Sequence, residues 1–227
     1  MLISHSLKYV FIHVPKTAGT SIECLLKEEP AFQVDEIGHW YGASESDYEQ
    51  EPKLCRQLHN HSSAKKVKEY FEEMGWKWDE YFKFGFMRNP WDLQVSQHCY
   101  FMQSLTESNT SDENLKLIEE YKNKPAYEFI KSRAKFDFID HFLCDKNKNI
   151  IVDFIGKFEN LNEDFQKIQD KIGVSGYSLP AFNQSKRIKN YQVYYDDEAR
   201  EQVKKSFYKT ISLGNYTFGD GACIQNQ

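Results

Sequence analysis

The stretch FIHVPKTAGTSIE, residues Phe11–Glu23, joins an apolar run to a Pro-Lys-Thr turn and a cluster of small hydroxyl residues. Its first half belongs to a longer run, Lys8–Val14, which is rich in aromatic and β-branched residues and stops at a proline, as buried strands do. Beyond the turn, Thr20 or Ser21 can cap a helix that ends near Lys27. The stretch predicts a strand, a tight turn and a helix in direct succession.

Such a turn favours an anion, because it directs several backbone N–H groups at one point and the helix start adds partial positive charge. Gly19, next to Ala18, lets the backbone approach a ligand, and Lys16 supplies a cation. The hydroxyl groups that can donate to an anion are those of Thr17, Thr20 and Ser21. A surface lysine followed by an ordinary helix cap is the alternative, but the whole cluster after a strand favours an anion site.

The composition describes a globular chain. Its 227 residues are 40% hydrophobic, which suffices for one well-buried core, so we expect a single domain over residues 1–227. A formal net charge of −5 provides no overall field for nucleic acid, so any polyanion site must be local. The five cysteines are dispersed without a CxxC pair, the N-terminus does not resemble a secretion signal, and no apolar run is long enough to span a membrane. These features predict a cytoplasmic protein.

Strands and helices alternate along the rest of the chain. The run Tyr81–Met87 is typical of a second buried strand, and the segment after it predicts a helix with Pro90 in its first turn. Further amphipathic helices are predicted over residues 62–75, 125–134, 162–173 and 196–209. The alternation predicts a mainly parallel sheet covered by helices on both faces, with ligands at the carboxyl ends of its strands.

Three connecting segments carry their own expectations. Ser104–Asn114 is polar and poor in apolar residues, which predicts a mobile surface loop. The apolar runs on either side of Asp145–Asn149 predict a hairpin whose second arm can join the main sheet. The polar, acidic stretch Gly42–Lys53 is also interpreted as loop.

The motif around Lys16 departs from the nucleotide-triphosphate loop GxxxxGK[ST], because Lys16 precedes Gly19 and no Gly-Lys pair occurs. The sequence IHVPKTAGTSIE instead resembles the 5′-phosphosulfate loop of sulfotransferases that use 3′-phosphoadenosine 5′-phosphosulfate (PAPS). It is most similar to the branch of heparan sulfate 2-O-sulfotransferase, chondroitin sulfotransferases and small bacterial relatives. The resemblance implies an α/β, three-layer fold of P-loop type, with a mainly parallel central sheet flanked by helices, that binds PAPS and releases PAP without a metal.

The same resemblance implies a second element for the 3′-phosphate, to which FKFGFMRNPWDLQVSQHCY is similar, with Arg88 after a strand and Ser96 about two helical turns on. Arginine suits forked phosphate contacts, although Arg88 alone would also fit a salt-bridged strand end. The segment NQSKRIKNYQVYY resembles the basic loop that closes over the nucleotide. The contacts implied there are those of Ser185, Lys186, Arg187 and Tyr191. A solvated charge run is the alternative interpretation.

Transfer of a sulfuryl group to a hydroxyl needs a base for the proton, and LHNHSSAKK presents His59 and His61 two residues apart. In an extended segment both lie on one side, and neutral imidazole is the usual base at neutral pH. The His-x-His pair resembles the catalytic histidine region of heparan sulfate 2-O-sulfotransferase, which implies His61 as the base with His59 in support. Glutamate is the base in some related branches, so Glu23 and Glu45 stay open as alternatives.

Together these motifs predict a PAPS-dependent sulfotransferase in which Lys16 stabilises the leaving phosphate and a histidine takes the acceptor proton. The acceptor is expected to be a carbohydrate, glycan-like or small molecule that carries a hydroxyl. A P-loop kinase or nucleotide hydrolase with an altered loop is the second hypothesis, and an inactive PAP-binding protein is the third. Neither nucleic acid nor a membrane span is expected.

Overall fold

The structure, a computed structural model, describes residues 1–39, 53–104, 110–180 and 187–220. Contacts within the chain divide it into two units, which are described separately below. The first unit joins Met1–Met87 with Phe138–Asn183, and the second joins Arg88–Asp137 with Gln184–Gln227. A single domain over residues 1–227 stays a prediction.

The first unit is built on a six-stranded sheet. Its strands, numbered along the chain, are β1 (Leu2–Ser4), β2 (Tyr9–Ile12), β3 (Glu36–His39), β4 (Lys53–His59), β5 (Phe82–Met87) and β6 (Phe154–Lys157). Their order in the sheet is β4-β3-β1-β2-β5-β6. Strand β1 runs antiparallel to both of its neighbours, whereas β3 with β4, β2 with β5, and β5 with β6 are parallel. The prediction of a mainly parallel central sheet is confirmed.

The apolar core of this unit packs against the neighbouring strands β2 and β5. Phe11 lies opposite Phe84 in the parallel register, and their rings stack with centroids 5.3 Å apart. Ile22 and Phe165 join the same buried cluster from two helices. Complete burial of a side chain of this kind contributes about 1.5–3 kcal/mol. The prediction of two buried strands at these positions is therefore confirmed.

Helices connect the strands of the first unit. They are α1 (Gly19–Glu28), α2 (Ala64–Glu73), α6 (Phe138–Phe142) and α7 (Leu161–Ile172). Ser63 caps α2, because its side chain accepts a hydrogen bond from the backbone N–H of Lys66 at 3.4 Å. Gly173 ends α7 in the left-handed conformation, with φ 77°. The start of α2 and the end of α7 thus follow the signals in the sequence.

The second unit is helical in its described part. Its helices are α3 (Pro90–Ser104), α4 (Asp112–Tyr121), α5 (Ala126–Arg133), α8 (Asp197–Ser206) and α9 (Tyr208–Gly214). Helix α3 starts at Pro90 as predicted, and the side chain of Asn89 accepts hydrogen bonds from the backbone N–H groups of Trp91 and Asp92. Across the described ranges of both units, no helix is long and apolar enough to cross a membrane.

The predicted cap of α1 is wrong. The helix begins at Gly19 with Ala18 in the capping position, so Thr20 and Ser21 lie inside the first turn rather than before it. The helix therefore starts two or three residues earlier than the hydroxyl pattern indicates, after a turn in which Ala18 adopts a left-handed backbone with φ 66°.

The predicted hairpin is half wrong. Its first arm forms the short helix α6, in which three buried apolar residues at positions 138, 139 and 142 follow a helical spacing. An antiparallel bridge between Cys144 and Ile150 joins the two arms. The second arm does join the main sheet as β6, as expected.

The predicted loop 104–114 is wrong in its last residues, which belong to the start of α4. Ser111 caps α4 by accepting from the backbone N–H of Asn114, so the helix starts inside the expected loop. Residues 105–109 of that loop lie outside the described residues, and so does 42–52 of the other predicted loop.

We expect Gly156→Ala to destabilise the first unit. Gly156 lies opposite Phe86 between β5 and β6, and a Cβ there would come 2.4 Å from Cε1 of the buried Phe86 ring. Forcing a methyl group into a filled space costs about 1–3 kcal/mol, so the free energy of unfolding measured in urea should fall by that amount. Phe86→Leu should then cost less in the Gly156→Ala protein than in the wild type. Equal costs in both would contradict the contact.

Candidate functional site

The connection between β2 and α1 is a tight loop, residues 13–18, which we call the PKT loop. Lys16 and Ala18 both adopt the left-handed backbone conformation there, with φ 64° and φ 66°. This conformation costs a residue with a side chain roughly 1–2 kcal/mol, so the surrounding contacts must hold it. No side-chain hydrogen bond caps α1 at Ala18. The loop therefore directs the start of α1 at a position where an anion is favoured.

The hydroxyl groups of the cluster have different surroundings. Thr17 is 1% exposed, and its Oγ1 donates a hydrogen bond to the carbonyl oxygen of Val14 at 2.9 Å. Its proton therefore holds the turn together rather than facing a ligand. Thr20 is exposed at the start of α1, whereas Ser21 is 5% exposed. Thr20 is the member of the cluster that is open to solvent.

Position 19 needs a glycine because the neighbouring His13 ring leaves no room for a side chain, and not because of its backbone angle. A Cβ at this position would lie 1.9 Å from Cδ2 and 2.0 Å from Nε2 of His13. The His13 ring, at the end of β2, thus fills the space that a side chain at position 19 would need. Because Gly19 opens α1, the ring of His13 sets how closely strand and helix approach each other.

His59 and His61 lie at the carboxyl end of β4, and the structure brings them together as predicted, with ring centroids 6.2 Å apart. Nδ1 of His61 lies 2.9 Å from the main-chain oxygen of His13. A carbonyl oxygen can only accept, so Nδ1 carries the proton and Nε2 has the lone pair. Burial, together with the neighbouring His13, lowers the pKa of His61 to about 3. His61 is therefore neutral at physiological pH, with its proton on Nδ1 and its lone pair on Nε2.

His59 has the complementary arrangement. The backbone N–H of His61 donates to Nδ1 of His59 at 3.3 Å, so a neutral His59 carries its proton on Nε2. Burial lowers the pKa of His59, and the nearby His39 adds to this effect. In the pair, Nε2 of His61 is thus a hydrogen-bond acceptor and Nε2–H of His59 is a donor.

Glu23, the alternative base, lies within α1 and is 3% exposed. Its Oε1 is 3.2 Å from the nitrogen of Met1, and its Oε2 is 3.2 Å from Nδ1 of His13. Burial alone would raise the pKa of the carboxyl group, but the Met1 nitrogen and the His13 ring outweigh it and hold the pKa at about 2. The carboxylate is therefore ionised and engaged on both oxygens. Glu45, the other alternative, lies outside the described residues.

His39 is a neighbour of the site that sequence reasoning missed. It ends β3 and pairs with His59 across the β3–β4 register, where their rings meet edge to face with centroids 4.9 Å apart. Nothing in the sequence marked it, because the pairing of β3 with β4 depends on which strands become neighbours. The carboxyl ends of β2, β3 and β4 thus carry histidines that form one row, His13, His61, His59 and His39.

The second unit brings together two predicted phosphate ligands. Nε of Arg88 donates to Oδ2 of Asp92 at 2.7 Å, and Arg187 places a guanidinium nitrogen 2.7 Å from Oδ1 of the same carboxylate. Both arginine side chains are largely buried, at 7% and 12% exposed. Two guanidinium groups around one carboxylate leave a net positive charge. Asp92, which sequence reasoning missed, is what holds the two arginines together.

The other predicted ligands of this unit differ in placement. Ser96 lies on α3 and is 6% exposed. Tyr191 is 1% exposed, and its hydroxyl oxygen accepts hydrogen bonds from Asn89 Nδ2 at 3.3 Å and from the backbone N–H of Gly219 at 2.6 Å. These contacts give Tyr191 a packing role, and its contact with a ligand stays a prediction. Ser185 and Lys186 lie outside the described residues.

Comparison with known proteins identifies relatives for most of the chain. The family model described as the sulfotransferase family matches residues 1–217. An uncharacterized protein of Archaeoglobus fulgidus is 35% identical over 99 residues, which cover 42% of this chain and 71% of the relative. The crystal structure of mouse sulfotransferase SULT7A1 complexed with PAP has a TM-score of 0.36 and 12% identity, and the match covers 92% of this chain and 67% of that one. The family match includes the PKT loop, the histidine row and both arginines.

We expect Gly19→Ala to destabilise the fold and Ala18→Gly to leave it nearly unchanged. The methyl group at position 19 would collide with the His13 ring, which costs about 1–3 kcal/mol. At position 18, glycine relieves the left-handed strain but loses more chain entropy on folding, so the net change should stay within about 1 kcal/mol. Urea denaturation of both variants measures the difference. Equal stability of the two variants would contradict the role assigned to His13.

Proposed function

Because the chain belongs to the sulfotransferase family, we propose that it moves a sulfuryl group from PAPS to a hydroxyl of an acceptor and releases PAP. The observation that carries the proposal is the PKT loop, which leads from a parallel strand into a helix start without a side-chain cap. That arrangement favours an anion, and its sequence resembles the 5′-phosphosulfate loop of PAPS-dependent enzymes.

The PKT loop and the start of α1 would hold the 5′-phosphosulfate. The backbone N–H groups that follow Ala18, with Thr20 and Ser21, would donate to its oxygens. Lys16 would lie at the oxygen that joins phosphorus and sulfur, where negative charge develops as the bond to sulfur breaks. A cation placed there stabilises the transition state more than the bound donor, which is how it accelerates the reaction.

His61 is the proposed base. Its Nε2 lone pair would take the proton of the acceptor hydroxyl while the hydroxyl oxygen forms its bond to sulfur. The bond from sulfur to the phosphate oxygen breaks in the same in-line step, and its electrons stay with PAP. His59, with its proton on Nε2, would donate a hydrogen bond to the acceptor or to the transferring group.

In the second unit, Arg88 and Arg187 are proposed to bind the 3′-phosphate, and Ser96 would add a hydroxyl donor. Asp92 supports this role, because it orients both guanidinium groups with charge-assisted hydrogen bonds. The forked N–H donors of arginine match the oxygens of a phosphate. Lys186 and Ser185 belong to the same proposed contact.

We propose a carbohydrate, glycan-like or small hydroxyl-bearing acceptor and a cytoplasmic location. The transfer chemistry assigned to Lys16 and the histidines requires no metal, and we propose that none takes part. Two other functions remain in competition and make different predictions about nucleotides and turnover. A P-loop kinase or nucleotide hydrolase would prefer ATP with Mg²⁺, and an inactive PAP-binding protein would bind PAP without transfer.

PAP should stabilise the protein more than AMP or ADP does, without Mg²⁺. A ligand at about a hundred times its Kd adds about 2.7 kcal/mol to the free energy of unfolding, which is roughly 5–10 °C in Tm for a chain of this size. Arg88→Ala should remove most of the advantage of PAP over ADP, because the 3′-phosphate distinguishes the two nucleotides at that contact. Thermal unfolding with each nucleotide measures these shifts.

The matched control is Arg133→Ala. Arg133 belongs to the same unit and is exposed at the end of α5, so its loss removes the same charge away from the proposed contact. This variant should keep the full preference for PAP. Stabilisation by ATP with Mg²⁺ and none by PAP would favour the kinase hypothesis instead.

Lys16→Ala should lower turnover far more than it lowers affinity for PAP. A contact to charge that develops in transfer is worth about 2–4 kcal/mol in the transition state, which is roughly 30- to 1,000-fold in rate. The measurement is transfer of sulfur label from PAPS to the acceptors found in a hydroxyl-compound screen, together with PAP affinity. Lys27→Ala, an exposed lysine at the end of α1, is the control and should retain activity. Unchanged turnover in Lys16→Ala would contradict the mechanism, and no transfer by the wild type to any acceptor would favour the inactive binder.

A further inference from the structure

A buried line of contacts runs from the middle of α1 to the proposed base. Oε2 of Glu23 lies 3.2 Å from Nδ1 of His13, whose ring meets the ring of His61 edge to face with centroids 4.3 Å apart. The main-chain oxygen of the same His13 lies 2.9 Å from Nδ1 of His61. One residue therefore touches His61 through both its ring and its carbonyl group.

The carbonyl contact decides which nitrogen of His61 is basic. A histidine in water prefers to carry its proton on Nε2, which would leave the lone pair on the wrong nitrogen for a base that uses Nε2. The oxygen of His13 reverses this preference, because it accepts a hydrogen bond from Nδ1. The basicity of Nε2 thus depends on where the backbone at His13 is held.

Two contacts hold His13 in that place. Its ring fills the space above Gly19, so it cannot move toward α1 without a collision. At its other nitrogen, the ring faces the carboxylate of Glu23, with Nδ1 3.2 Å from Oε2. Both contacts come from α1, the helix that begins at the PKT loop.

We propose that Glu23 and His13 are positioning residues that hold His61 with its proton on Nδ1 and its lone pair on Nε2. The inference rests on the proposed function for the identity of the base, and it assigns Glu23 a role other than the base itself. Both oxygens of Glu23 are engaged, and its side chain is 4% exposed. A carboxylate so placed orients an imidazole but does not meet an acceptor hydroxyl.

The proposal also connects the base with the anion loop. Glu23 and Gly19 lie one turn apart on α1, and both contact His13. A shift of the helix start would therefore move the ring and the carbonyl group that orient His61. The orientation of the base and the shape of the PKT loop are set by the same three residues.

The test is a direct measurement of which ring nitrogens carry protons. Long-range ¹H–¹⁵N correlation spectra of the full chain, labelled at histidine and recorded at pH 7.5, distinguish the two neutral forms of each ring. Signals are assigned with single histidine substitutions. In the wild type, His61 should show the Nδ1–H form alone. A wild-type His61 with its proton on Nε2 would overturn the proposal without any variant.

Glu23→Gln and His13→Leu should each convert the single form of His61 into a mixture that includes the Nε2–H form. The control is Glu28→Gln, which removes the same charge from an exposed position of α1 and should leave the spectrum of His61 unchanged. A merely structural role of Glu23 would lower stability without changing the tautomer, and that result would overturn the proposal.

PAP binding to the same samples separates this inference from the proposed function. Failure of the wild type to bind PAP would count against sulfotransfer and leave the tautomer result standing. If the wild type binds PAP normally but folded Glu23→Gln keeps the His61 tautomer unchanged, the positioning role of Glu23 is overturned and the proposed function stands. If Glu23→Gln does not fold, His13→Leu and the wild-type spectrum still decide the question.

Discussion

The contact between the His13 ring and the backbone of Gly19 is the constraint on which the first unit's site depends. Strand β2 and helix α1 can approach as closely as they do because position 19 has no side chain and the ring occupies the space. The approach in turn holds Lys16 and Ala18 in a left-handed backbone that neither residue prefers. Packing energy from the apolar core beneath the strand supports this local strain.

A buried charge is tolerated beside the PKT loop because it is paired. Glu23 loses hydration on burial, and such a loss is expensive unless the charge is paired. The Met1 nitrogen and His13 supply the partners, and together they lower the pKa of the carboxyl group despite its burial. The Glu23 carboxylate is thereby held in place beside the His13 ring.

The second unit also pairs buried charges, but there the buried groups are cations and the partner is an anion. Arg88 and Arg187 are largely buried cations, and Asp92 neutralises part of their charge while it orients both. A resemblance in the sequence predicted that the two arginines contact a phosphate, but nothing in the sequence predicted that Asp92 would lie between them. An aspartate in the first turn of a helix is ordinarily explained by the helix dipole, so its position carried no special signal.

The sequence by itself determined the local elements, because hydrophobic period, caps and turn residues act over a few neighbours. It therefore predicted β2, β5, α2 and α3, a tight PKT loop between β2 and α1, and the proximity of His59 and His61. The tertiary structure decided what lies beside what: His39 against His59, Asp92 between two arginines, and α6 in place of a hairpin arm. It also decided which nitrogen of His61 is basic and that Glu23 is engaged on both oxygens. These properties depend on contacts between residues far apart in the chain, and no periodicity or spacing along the sequence specifies them.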